Sequence, residues 1–209
     1  MNEKCVFRTI NLAVKFDEHE LFREVNLSFN RGEIIALVGK NGIGKTIFLK
    51  TLLMLNSECS GEVLYKEHVS KTYLPDETYL YDVLTGRENL EFMLEILKIS
   101  EPQYVQELAE VIDFTPYWDI PVKEYSFGTK KKLGLILSYL EMSDIFIFDE
   151  PDNGLDEHVI QEIGRFIQSH SNDGVTILST HSLVKWNNFI THVLKFQDNK
   201  TIVKEVVKK

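Results

Sequence analysis

Residues Gly39 to Thr46, GKNGIGKT, fit the pattern G-x-x-x-x-G-K-[ST], and they follow an apolar run and precede a helical one. Glycines in such a loop let successive backbone N–H groups turn inward around a phosphate chain. Lys45 is then placed to reach β- and γ-phosphates, and the Thr46 hydroxyl to ligate Mg²⁺. The candidate contacts are Gly39, Asn41, Gly42, Gly44, Lys45, Thr46 and Ile47. A Gly-rich connector is the plain alternative, and the flanking IIALVG and TIFLKTLLML argue against it.

A second chemical stretch is IFIFDEP, where an apolar strand delivers Asp149 and Glu150 side by side at its C-terminal end. Neighbouring side chains at a strand tip point to different sides. One carboxylate can hold Mg²⁺, directly or through water, while the other faces an attacking water as general base. A third stretch, YSFGTKKKLGLILSYL, sets Ser126, Gly128 and Thr129 ahead of a helix whose first turn holds Lys130, Lys131 and Lys132. Cations there oppose the helix dipole, so either an anion is brought to this end or the lysines are a solvated face.

The elements that must position these groups are legible from the period of the apolar residues. Val6–Phe16 and Leu21–Phe29 read as two half-buried strands, followed by a turn at Arg31–Glu33 and the buried strand IIALVG. GEVLYKEHVSKTYL reads as short strands, and from Arg87 to Asp113 the spacing turns helical, with Pro102 opening a second helix at Gln103. After IFIFD come a helix from about Asp156 to Ser169, the strand GVTILST and a closing pair of strands around QDNK. With 209 residues, 44% of them hydrophobic, the chain can bury a full core as one domain with a small insert. No run approaches the length of a membrane span, and MNEKCVFRTI lacks a signal-peptide core, so a cytosolic chain is expected. Cys5 and Cys59 read as ordinary reduced thiols, and a net charge of -9 gives no general attraction to nucleic acid.

In their order, GKNGIGKT, YSFGT, IFIFDEP, NGLD and ILSTHS resemble the ATP-binding subunits of ATP-binding cassette (ABC) transporters over nearly the whole chain. The resemblance implies an α/β P-loop NTPase fold with a RecA-like core, an antiparallel β subdomain and a small α-helical subdomain. Residues 1–75 and 143–209 would form the core with the β subdomain, and about 78–142 the helical part. It implies Glu150 and His181 as catalytic residues, Thr46 and Asp149 at Mg²⁺, Asp156 as the D-loop aspartate, and Phe16 as an aromatic stacking on adenine. Ser126, Phe127, Gly128 and Thr129 would form a signature loop acting on ATP held by a second cassette. Phe16 also reads as core and Asp156 as a helix N-cap.

The sequence departs from the family pattern at four places. Asp76, in YLPDE, stands at the Q-loop position where Gln is usual, and could still approach Mg²⁺. Ile47 replaces a frequent second hydroxyl, and Phe127 and Thr129 stand where Gly and Gln are usual. YLPDE and the Tyr-Ser-x-Gly signature resemble sodium, drug and peptide exporters. The expectation is an ATPase that uses ATP and Mg²⁺, pairs as a homodimer or heterodimer, and drives export through separate membrane permease subunits. It would sit peripherally on the cytoplasmic membrane face, with Tyr79, Leu80 and Tyr81 near the permease groove. The other expectation is a non-transport or regulatory ABC ATPase with weak hydrolysis.

Overall fold

The computed structural model describes residues 3–207, apart from 17, 171, 172 and 199 and the side chain of Phe16. The chain begins with β1 (Cys5–Phe16), β2 (His19–Val25), β3 (Ser28–Asn30), β4 (Ile34–Val38), α1 (Lys45–Leu52), β5 (Cys59–Tyr65) and β6 (Lys71–Leu74). Three longer helices follow, α2 (Gly86–Leu97), α3 (Gln103–Val111) and α4 (Phe127–Ser138). The last part is β7 (Ile145–Phe148), α5 (Glu157–His170), β8 (Val175–Ser179), the single turn α6 (Leu183–Trp186), β9 (His192–Phe196) and β10 (Ile202–Val206).

The long strand β1 pairs antiparallel with β5 along one edge, and with β2 and β3 at the two ends of its other edge. The sequence predicts one strand over Leu21–Phe29, but the structure breaks it after Val25. Asn26 Nδ2 donates to Asn11 Oδ1 at 3.0 Å and to the Glu24 carbonyl at 2.9 Å, and Asn26 Oδ1 accepts the Asn11 N–H at 2.9 Å. These side-chain bonds take the place of ladder bonds, and the strand kinks.

The larger sheet has the order β10-β9-β4-β8-β7-β6, parallel except for β10. Every residue of β7 and β8 is buried, as a parallel strand covered on both faces requires, which is why IFIF and VTILS are unbroken apolar runs save for Thr176 and Ser179. Alternate residues serve two cores. Ile35, Leu37, Ile145 and Ile147 pack toward α1 and the antiparallel sheet, whereas Ala36, Phe146 and Phe148 pack toward α2 to α5. The three inserted helices therefore share a core with one face of the sheet.

Register carries the functional consequence. Leu37 is opposite Ser179, Leu178 opposite Phe148, and Phe148 opposite Leu74. The segments that leave β4, β8, β7 and β6 are thus set side by side at one sheet edge, the carboxyl end where open α/β sheets bind ligands. Within the insert, Thr85 caps α2: its hydroxyl accepts the Glu88 N–H at 3.1 Å while Glu88 returns a carboxylate to the Thr85 N–H at 2.7 Å. Thr85→Ala should cost about 1 kcal/mol of stability, read from the midpoint of urea denaturation at unchanged slope.

Candidate nucleotide-binding site

The loop between β4 and α1 ends on Gly44, whose φ of 108° is a conformation that a side chain would strain. This turn delivers Lys45 into the site at 7% exposure, with Nζ 3.2 Å from the Gly39 carbonyl and 3.4 Å from Glu150 Oε1. The next residue, Thr46, donates its hydroxyl to Asp149 Oδ2 at 2.6 Å. The other oxygen of Asp149 accepts the Ser179 hydroxyl at 2.6 Å, and that same hydroxyl accepts the Glu150 N–H at 2.8 Å. Ser179 therefore orients both acids from the end of the adjacent strand. Sequence reasoning missed it, although a hydroxyl closing the run VTILS was a visible signal.

Glu150 sits at φ 50°, in the left-handed region uncommon for a side-chain-bearing residue, which turns it away from Asp149. His181 Nε2 lies 2.8 Å from Glu150 Oε1, a close polar contact between the imidazole and the carboxylate. Burial pushes the Glu150 carboxyl above its ordinary pKa, against the opposing pull of His181 and Lys45. A half-buried carboxylate with an imidazole nitrogen 2.8 Å away, beside a phosphate loop, is suited to accept a proton from water.

The groups meet in an open cleft of about 380 Å³ lined by Asn41, Gly42, Gly44, Lys45, Thr46, Ile47, Asp76, Glu150, Asn153 and His181. Gly39 contributes its carbonyl to Lys45 from behind the cleft. Asp149, 2% exposed, stands behind Thr46. Ile47 also packs on the core beneath. The side chain of Phe16, expected near adenine, lies outside the described residues. Asn153 is an addition, donating Nδ2 to Asp76 Oδ1 at 3.2 Å. The Thr46 hydroxyl and the Asp149 carboxylate are hard oxygen donors of the kind Mg²⁺ takes alongside phosphate oxygens. Among the described residues no three His, Cys, Asp or Glu residues cluster as a metal-binding group.

The structure does not bring Ser126, Phe127, Gly128 or Thr129 into this cleft. Ser126 is the N-cap of α4: its Oγ accepts the Thr129 N–H at 3.1 Å and lies 2.8 Å from the Thr129 hydroxyl. Phe127 is 48% exposed. A Cβ on Gly128 would stand 2.4 Å from the Gly154 carbonyl, so only glycine allows the two loops to touch. Asp156 caps α5 by accepting the Val159 N–H at 2.9 Å.

The lysine run meets carboxylates of its own chain. Lys130 Nζ lies 2.7 Å from Asp82. Lys131, 1% exposed, turns inward to the Asp76 carboxylate at 3.2 Å and the carbonyls of Pro75 and Asp76, so the solvated-face reading fails for it. Asp76, at the Q-loop position, lines the cleft and is also held by Lys131 and Asn153. Next to this lies an apolar groove of about 370 Å³, with Leu74, Pro75, Tyr79, Leu80, Met93 and Leu97 among its walls. Among the described residues no helix is long and apolar enough to cross a membrane.

The chain is similar to known proteins in sequence and in fold. The sequence model of the family described as "ABC transporter" matches residues 22–153. The chain is 32% identical over 185 residues to the lantibiotic transport ATP-binding protein SrtF of Streptococcus pyogenes, covering 83% of this chain and 79% of that protein. It is 31% identical over 190 residues to the bacitracin transport ATP-binding protein BcrA of Enterococcus faecalis, covering 85% of this chain and 62% of that one. In fold it is similar to a solved structure described as the ATP binding subunit of an ABC transporter, with a TM-score of 0.84, 22% identity, and coverage of 97% and 90% of the two chains.

Proposed function

The chain belongs to the ATP-binding subunits of the ABC transporter family, which hydrolyse ATP to power transport, and we propose that its cleft does so by water attack on the γ-phosphate with Glu150 as general base. The observation that carries this is the convergence on one carboxylate. Glu150 is held by the Ser179 hydroxyl through its N–H, by His181 at 2.8 Å and by Lys45 at 3.4 Å, at the mouth of a phosphate-binding loop.

In the proposed reaction Glu150 takes a proton from the attacking water as its oxygen bonds to the γ-phosphorus. The bond from that phosphorus to the β–γ bridging oxygen breaks, and ADP leaves with the electron pair. Lys45 and the loop N–H groups hold the phosphates, and His181, 2.8 Å from Glu150 Oε1, positions the carboxylate beside them. Thr46 and Asp149 would hold Mg²⁺, which would supply neutralisation of the phosphate charge when bound. Because Glu150 must be ionised to act, kcat/KM should fall as the pH drops through a midpoint above the ordinary glutamate value. A steady-state pH profile checks it, with an acid limb at an unshifted glutamate pKa as the contrary result.

We extend the proposal to a pair of cassettes, either two copies or this chain with another ABC ATPase, in which Ser126 to Thr129 of one meet the ATP of the other. The exposure of Ser126 and Phe127, outside the cleft that holds their own Lys45, supports this. Residues 1–75 with 143–209 would act as one lobe and about 78–142 as the other. The groove beside exposed Tyr79 and Tyr81 would receive a membrane permease, placing the subunit on the cytoplasmic face of a membrane. The relatives named for lantibiotic and bacitracin transport support a comparable cargo here, moved outward. Purifying the tagged protein from host membranes in mild detergent tests this: a co-purifying permease is expected, and recovery free of any membrane protein would contradict it. The altered positions Asp76, Phe127 and Thr129 favour one other reading, a regulatory cassette that binds ATP and turns it over weakly.

A further inference from the structure

A lysine that is 1% exposed requires compensation for each of its lost water contacts. Lys131 finds it in one short segment. Its three donors face the Pro75 carbonyl at 3.4 Å, the Asp76 carboxylate at 3.2 Å and the Asp76 carbonyl. One turn later on the same face of α4, Gly134 lets the helix press onto that segment: a Cβ there would stand 2.5 Å from Thr78 Cγ2 and 3.0 Å from Leu74 Cδ1. The grip continues into the cleft. Asp76 Oδ1 also accepts from Asn153 at 3.2 Å, and the Asn153 N–H donates to the Glu150 carbonyl at 3.1 Å.

We propose that Lys131 is a positioning residue for hydrolysis: it holds the Asp76 carboxylate, and with Asn153 forms a latch joining α4, whose first turn carries Ser126 to Thr129, to the loop that carries Glu150. Displacement at the start of α4 is thereby transmitted to Asp76 and the backbone of Glu150 within one chain. Burial holds the Lys131 pKa below its ordinary value, and the charges of Asp76, Asp149 and Glu150 oppose that shift. Remove the lysine, and Asp76 becomes an uncompensated carboxylate lining the cleft beside Thr46. The inference rests on the proposed roles of Lys45, Thr46 and Glu150.

The test is a cycle of Lys131→Met, Asp76→Asn and the double variant in the full chain, reading kcat, KM for ATP and the Mg²⁺ concentration for half-maximal activity. Lys131→Met is expected to lower kcat about tenfold with KM little changed, and to lower the half-saturating Mg²⁺ about threefold, because a freed carboxylate attracts the cation unproductively. In the double variant the Mg²⁺ shift should vanish, and kcat should be no worse than in the poorer single variant. Losses that multiply, or a Mg²⁺ shift that persists without Asp76, overturn the latch, since a merely structural lysine would leave the cation dependence unmoved. Should Lys131→Met not fold, Asn153→Ala removes the other bond to the same oxygen from an exposed position. A fall in half-saturating Mg²⁺ is expected there too, and an unchanged value overturns the proposal. Normal turnover by Glu150→Gln would defeat the proposed base instead, so the two ideas fail separately.

Discussion

Glu150→Gln is expected to bind ATP close to the wild-type affinity while its turnover falls by about 10²- to 10⁴-fold, the usual contribution of a positioned general base. The amide keeps the size of the side chain, and its oxygen can still accept from His181 and Lys45, which lie 2.8 and 3.4 Å from Oε1. The Ser179 bond to the backbone N–H of residue 150 is untouched. What disappears is the ability to take a proton, an interaction made only as water attacks, so kcat should fall and nucleotide affinity should not. Equilibrium titration with a fluorescent ATP analogue beside steady-state phosphate release separates the two quantities.

Lys45→Ala should fail earlier, at binding. The side chain is 7% exposed, and its polar contacts among the described residues are the Gly39 carbonyl and Glu150. A charge-assisted hydrogen bond lost from such a place costs about 1.5 to 3 kcal/mol, or roughly 10- to 150-fold in ATP affinity. Burial raises the Glu150 pKa and Lys45 opposes it, so without the lysine the carboxyl pKa should rise further and the acid limb of any residual activity should move to higher pH. Calorimetric titration with ATP measures the affinity. Binding within twofold of wild type would remove Lys45 from its assigned role.

Much of this site was legible because the residues that build it obey short-range rules. The unbroken apolar runs IIALV, IFIF and VTILS are what buried parallel strands look like, and the loops leaving them carry GKNGIGKT, DEP and THS to one sheet edge. The glycine at position 44 had to be glycine for a turn with φ 108°. The break after Val25 was not legible, since Asn11 and Asn26 are paired only once the sheet exists. Ser179 and Asn153 were missed for the same reason: each acts through a partner on another segment. Lys131 is the clearest case. Three consecutive lysines step about 100° apart around a helix, and nothing in KKK says which of them faces inward. The small residue Gly134, on the same helix face, was the available clue that a neighbouring segment crosses there, and only the structure identifies that segment as the one bearing Asp76.

The contest between an active and a regulatory cassette turns on whether the cleft, with Asp76 at its wall and Phe127 and Thr129 in the outward loop, completes the chemistry. Single-turnover phosphate release, with protein in excess over γ-labelled ATP and Mg²⁺ present, measures that step without product release intervening. The expected result is complete conversion of bound ATP in one first-order phase that is lost in Glu150→Gln. ATP that stays bound and unhydrolysed in the wild-type protein, with its membrane partner also present, would contradict the assignment of this cleft as a hydrolytic site.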